Sequence, residues 1–161
     1  MAEGQQYVNM LIDILEKQIL TLEAIIEVTE EQGRLAEADN FDDTAFDDTL
    51  TRKDVLIMRL NELDDGFPSV YDKVRKEVRA NSSKYEESIA KMQDLIRKCT
   101  DIGMRIKTLE ARNRDKLVNC FSGKKKEYSA KQAAATVANK YSVTMKNANV
   151  MNEGYRFNQD K

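Results

Sequence analysis

The sequence predicts an all-α protein: an elongated antiparallel helical bundle, or coiled-coil-like hairpin, containing one very long helix. Three observations predict it. Proline occurs once, at Pro68, and glycine six times in 161 residues, too few for the turns of a strand-based fold. Hydrophobic residues make up 41% and charged residues 34%, the balance of a thin bundle in which most residues touch water. Apolar residues also recur at alternating spacings of three and four over long stretches, which is the signature of helices that pack along a seam.

The first helix is predicted from about residue 3 to about residue 38. Val8, Ile12, Leu15, Ile19, Leu22 and Ile26 form one heptad stripe, and Leu11, Ile14, Ile25 and Val28 widen it. A stripe this wide suits burial against two neighbours rather than one. Gly33 weakens the last turns, and Asp39-Asn40 stops the helix.

Residues 39–48 carry five acidic side chains in ten. They lack the alternating oxygen ligands, the glycine at position six and the glutamate at position twelve of a calcium loop. The residues Asp42, Asp43 and Thr44 instead suit a helix start, capping the exposed N–H groups and favouring the positive end of the dipole. A second helix is predicted over about 43–64, with Phe46, Leu50, Ile57 and Leu60 as one row and Leu56, Leu60 and Leu63 as another. Asp64-Asp65-Gly66-Phe67-Pro68 reads as the clearest break in the chain, because glycine ends a helix and proline suits a new first turn.

A third helix is predicted over about 69–120. Counting in sevens from Tyr71 gives Val78, Tyr85, Met92, Cys99, Ile106, Asn113 and Cys120, without a slip. Its companion series is Val74, Asn81, Ser88, Leu95, Ile102, Leu109 and Lys116. At 1.5 Å per residue such a helix spans roughly 75 Å, so the molecule is elongated or the helix breaks, with Gly103 and Asn81-Ser82-Ser83 as candidate points. Cys99 and Cys120 read as small core residues. They lie about 30 Å apart along a straight helix, too far to bond to each other.

Residues 1–122 thus form the predicted bundle, and residues 123–161 a weakly packed C-terminal helix, about 128–147, followed by a flexible tail. Ala134, Val137, Ala138, Tyr141 and Met145 share one thin face of that helix. Small side chains bury little area at roughly 25 cal/mol per Å², so packing supplies this helix with little stability.

Catalytic chemistry finds few footholds. There is no histidine, the glycines are scattered rather than grouped in a phosphate loop, and the two cysteines lack zinc spacing. No catalytic, cofactor-binding or metal-ligating residue is expected, and the Asp and Glu residues read as solvent positions of the heptads. No run of about eighteen apolar residues is present, so no membrane insertion is expected. The start lacks the basic flank of a signal peptide. These features together suggest a cytoplasmic protein. Nucleic acid is not an expected partner, because the basic residues of the long helix are mixed with Glu77, Glu86, Glu87 and Glu110. Charge is segregated: residues 1–67 hold 17 acidic and 5 basic residues, and residues 68–161 hold 11 and 21. Either the halves pack on each other, or one end presents a charged docking surface.

The first two helices resemble flagellar export chaperones of the FlgN type. In that family an opening helix with paired leucines and glutamates leads to a Gln near its end. An acidic connector follows, then a helix carrying a Lys and a Leu-Asp close. The matching residues here are Leu11 to Glu16, Leu22-Glu23, Glu31-Gln32, Asp39 to Asp43, Arg52-Lys53 and Leu63-Asp64. The resemblance covers residues 5–65 well and the long third helix loosely. It implies a cytoplasmic, non-catalytic chaperone that binds hook–filament junction (hook-associated) proteins and delivers them to the flagellar type III export gate. It also implies a substrate-binding C-terminal region, for which the thin face of Ala134, Val137, Ala138, Tyr141 and Met145 is the candidate, and a C-terminal tyrosine used at the gate, for which Tyr128, Tyr141 and Tyr155 are candidates. The alternative readings are a coiled-coil scaffold, homodimeric through the stripe from Tyr71 to Leu109, and a four-helix signalling adaptor.

Overall fold

A computed structural model of the chain describes residues 2–122. They form three helices, α1 (Ala2–Glu37), α2 (Asp43–Ala80) and α3 (Glu86–Cys120), and no strand among the described residues. At 1.5 Å per residue each helix is about 55 Å long. The all-α expectation holds. The predicted fourth helix, 128–147, and the tail lie outside the described residues.

The central element is α1. Gln18 meets Asp64 and Gln32 meets Thr49, so α2 runs antiparallel to α1. Lys91 pairs with Glu16, Arg105 with Glu30 and Lys116 with Glu37, so α3 runs parallel to it. These three ion pairs also explain the segregated charge: basic residues of the second half lie on acidic residues of the first. α1 packs against both other helices, while α2 and α3 bring no Cα atoms within 8 Å of each other. The wide stripe of α1 is therefore divided between two partners. Val8, Leu11, Leu15, Leu22 and Ile25 are all fully buried. Each flanking helix buries a single stripe, for example Ile57, Leu60, Phe67, Val70, Val74 and Val78 of α2.

The helix boundaries correct the sequence reading. No break occurs at residues 64–68, and no single helix spans 69–120. α2 runs through Gly66 and Pro68 to Ala80, and the chain reverses at Asn81–Tyr85 instead. The reason is packing. An interior proline removes one ladder hydrogen bond and costs about 3 kcal/mol. Leu60, Phe67 and Val74 nevertheless continue the buried stripe at spacings of seven, while Gly66, Pro68 and Ser69 face solvent. Burial of Phe67, Val70, Val74 and Val78 contributes roughly 1.5–3 kcal/mol per side chain and outweighs the proline.

The real turn has no proline and no glycine. The backbone N–H groups of Lys84 and Tyr85 donate to the carbonyls of Asn81 and Ser82, and the Asn81 N–H donates to the Glu77 carbonyl. The Tyr85 hydroxyl reaches back to Glu77 Oε1 at 2.9 Å and locks the corner. Of the two break points considered within 69–120, Asn81-Ser82-Ser83 is the one used.

α2 starts as the acidic connector suggests. The Asp42 side chain accepts from the Ala45 N–H at 3.0 Å, leaving Asp43 at the positive end of the helix dipole. Gly33 does not end α1. A Cβ there would stand 2.7 Å from Asn113 Oδ1, so the glycine lets α3 approach closely.

Candidate functional site

The face predicted to bind a partner, Ala134, Val137, Ala138, Tyr141 and Met145, lies outside the described residues, as do the candidate gate tyrosines Tyr128, Tyr141 and Tyr155. What the structure does place is the residue set that carries the family resemblance, and it brings several of those residues into contact. Leu11, Leu15 and Leu22 are buried in the α1 seam. Glu31 pairs with Arg52 at 2.7 Å on the surface between α1 and α2. One position inward on each helix, Gln32 Oε1 accepts from Lys53 Nζ. The Asp64 carboxylate accepts from Gln18 Nε2 at 2.7 Å, three to four turns further along the same helix pair.

Lys53 is the centre of this set. Its side chain has no exposed surface, and its ammonium also donates to Glu110 Oε1 of α3 at 2.8 Å. Gln32 Nε2 in turn donates to Thr49 Oγ1 at 3.0 Å, and Thr49 donates to the Phe46 carbonyl. Asn113 Nδ2 donates to the Thr29 carbonyl at 2.7 Å. One polar layer thus ties all three helices together. Ion pairs taken out of water gain little net stability but penalise mispairing heavily. The layer sets the register of α2 and α3 on α1.

The sequence pattern predicts solvent positions for the acidic residues. Glu110 corrects that: it is 8% exposed and sits in the core series of α3 between Ile106 and Asn113. The available signal was spacing. Lys53 falls between Thr49 and Ile57, and Glu110 between Ile106 and Asn113, at core intervals of three and four. Two opposite charges at core positions of different helices mark a buried pair.

No family model, no curated protein and no solved structure matches this chain.

A second feature lies at the end of the bundle where α3 finishes. Ala36, Phe46, Leu117 and Phe121 form a separate buried cluster. Phe41, from the connector, meets Phe121 edge-on with ring centroids 4.7 Å apart, and Phe46 at 5.4 Å. A shallow cleft beside them is lined by Glu37, Asp39, Phe41, Lys116, Asn119 and Cys120, among others. The chain leaves the described bundle here, beside the acidic connector.

The two cysteines occupy different settings. Cys99 is buried, and burial, with the Asp64 carboxylate adding to it, pushes its thiol up to about 12. A thiol held neutral is a poor nucleophile. Cys120 is half-buried at the Phe121 end. Among the described residues no three His, Cys, Asp or Glu side chains are grouped to hold a metal ion, and no helix is long and apolar enough to cross a membrane.

Proposed function

We propose that the protein is a cytoplasmic, non-enzymatic export chaperone. It binds flagellar hook–filament junction proteins through its C-terminal segment and delivers them to the flagellar type III export gate. One observation carries the reading. The residues that make the sequence resemble FlgN-type chaperones engage one another across α1 and α2, Glu31 with Arg52 and Gln32 with Lys53. A pattern whose members touch is a specification of one helix pair, and not a chance run of leucines and glutamates. The buried ammonium and carboxylate are consumed by each other, which favours a structural role for them over a chemical one.

In this reading α1–α3 are the rigid body, and residues 134–145 present the cargo face. Cargo that must compete with the chain's own contacts for this face is released readily, because the contacts given up offset part of the binding energy. Reversible capture is what delivery requires.

The scaffold alternative loses the feature that favoured it. Val78, Tyr85, Met92, Leu95, Cys99 and Ile106, the stripe through which a homodimer would form, are buried in the chain's own bundle.

The reading is tested by isothermal titration against purified hook–filament junction proteins. The full chain is expected to bind one of them. Val137→Asp with Tyr141→Asp is expected to weaken that binding at least tenfold while α1–α3 stay folded. Binding by the doubly substituted chain as tight as by the original would show that the cargo face lies elsewhere.

A further inference from the structure

α2 and α3 both pack on α1, yet nowhere approach each other within 8 Å between Cα atoms. Packed helices lie 8–10 Å apart. Two helices that touch a third but not one another open wider than a closed triangle, as the diagonal corners of a square do, about 14 Å apart by that spacing. The link between them fits this geometry. Lys53 and Glu110 meet at 2.8 Å only by extending two long side chains across the gap. Three corners of a four-helix bundle are thus filled, and the fourth is flanked by α2 and α3.

The residues turned toward that corner are apolar or small. At 3.6 residues per turn, Ile96 and Gly103 stand about a quarter turn round α3 from Asn113, which faces α1, and on the side away from Arg105. Ile57 stands similarly on α2, on the side away from Arg52. Ile57, Ile96 and Gly103 are all buried, as a face that meets water would not be.

We infer that residues 128–147 of the same chain occupy this corner as a fourth helix, antiparallel to α3, in the free protein. Chain length and exit point select this occupant. α3 ends at Cys120, and residues 123–161 follow directly. A twenty-residue helix spans about 30 Å, enough to run back from the Phe121 end to the level of Ile96. Counting back from that end brings Tyr141 level with Gly103, where the missing side chain leaves room for a ring. Ala134 and Ala138 are small enough for close approach to α2 and α3.

Charge selects the same occupant. Residues 1–122 hold 25 acidic and 18 basic residues, whereas residues 123–161 hold 3 and 8. Lys124-Lys125-Lys126 begins two residues after Ser122, so at under 3.6 Å per residue it cannot leave the neighbourhood of the acidic connector, Asp39 and Asp42.

This inference concerns the chain without a partner and is read without cargo; under the cargo reading, cargo displaces the segment from this corner. It is tested by hydrogen–deuterium exchange on the full chain at two concentrations, with sedimentation alongside. Amides of 128–147 are expected to exchange at least about 100-fold more slowly than an unstructured chain, equally at both concentrations, in a monomer. Tyr141→Asp should abolish that slowing within 128–147 and leave α1–α3 protected. Gly103→Leu, which fills the corner from the other side, should do the same. Free exchange of 128–147 in the unaltered chain would overturn the inference. So would slowing that appears only as a dimer forms, which would make a second copy the occupant. Slowing that survives Tyr141→Asp would likewise put the segment elsewhere.

Discussion

An ammonium with no exposed surface persists at position 53 because α1 and α3 both supply oxygens to it. Removing one partner of a buried pair strands the other charge at a cost of about 3–5 kcal/mol. Lys53→Met is expected to destabilise the bundle by that amount, and Lys53→Met with Gln32→Leu and Glu110→Leu to recover most of it, as read by urea denaturation. A large loss that persists in the triple variant would show that the layer does more than set register. Two glycines should respond in opposite directions. Gly66 has nothing within 4 Å of a built Cβ, so Gly66→Ala should stabilise α2 by up to about 1 kcal/mol. Gly33→Ala gains the same propensity but drives a methyl group into Asn113, which is held by its bond to the Thr29 carbonyl, so it should destabilise. The Cys99 thiol, ordinarily near 9.0 and raised to about 12 by burial, stays protonated at pH 8. Iodoacetamide at that pH should label Cys120 first and Cys99 only on unfolding. The unfolded chain releases this proton before the folded one does. The Cys99 contribution to stability is therefore complete below pH 9 and is lost as pH rises toward 12.

At the scale of the helix, Pro68 and the Asn81–Tyr85 turn reverse the usual punctuation. Pro68→Ala should stabilise the protein by about 1–3 kcal/mol, since it restores a hydrogen bond inside a continuous helix. A proline at the first turn of a separate helix would give almost no change. Inserting one glycine after Ser82 should be tolerated, because it falls in a turn. The same insertion after Gly66 would rotate Val70, Val74 and Val78 by about 100° off the seam and cost several kcal/mol. Thermal melting followed by circular dichroism distinguishes the two insertions. The misplaced break has a specific origin. The series in sevens from Tyr71 to Cys120 passes through the reversal without losing phase, because Tyr85 is buried at the corner itself. Periodicity was therefore silent where the chain turned, and Gly66 and Pro68 spoke where it did not. The start at Asp42 and the stop after Glu37 were legible because caps are local.

At the scale of the molecule, one helix holds the other two, and the charge segregation becomes contact between α1 carboxylates and α3 cations. Those pairs are exposed, each worth no more than about 1 kcal/mol, so salt should loosen the fit of α3 without unfolding it. The candidate cargo face was readable only as a weak stripe. The register layer at Gln32, Lys53 and Glu110 is not legible as a layer in the sequence, since a lone charged residue at a core interval looks like a solvated one until its partner on another helix is known. The amino-acid order alone determined the all-helical class, the double-width seam of α1 and the cap that starts α2, because each follows from side chains a few residues apart. Where α2 ends, which charges are buried and that α2 and α3 stay apart were decided by tertiary structure. Burial against a neighbour distant in sequence outweighs the cost of a proline or an ion, and no local pattern records that neighbour.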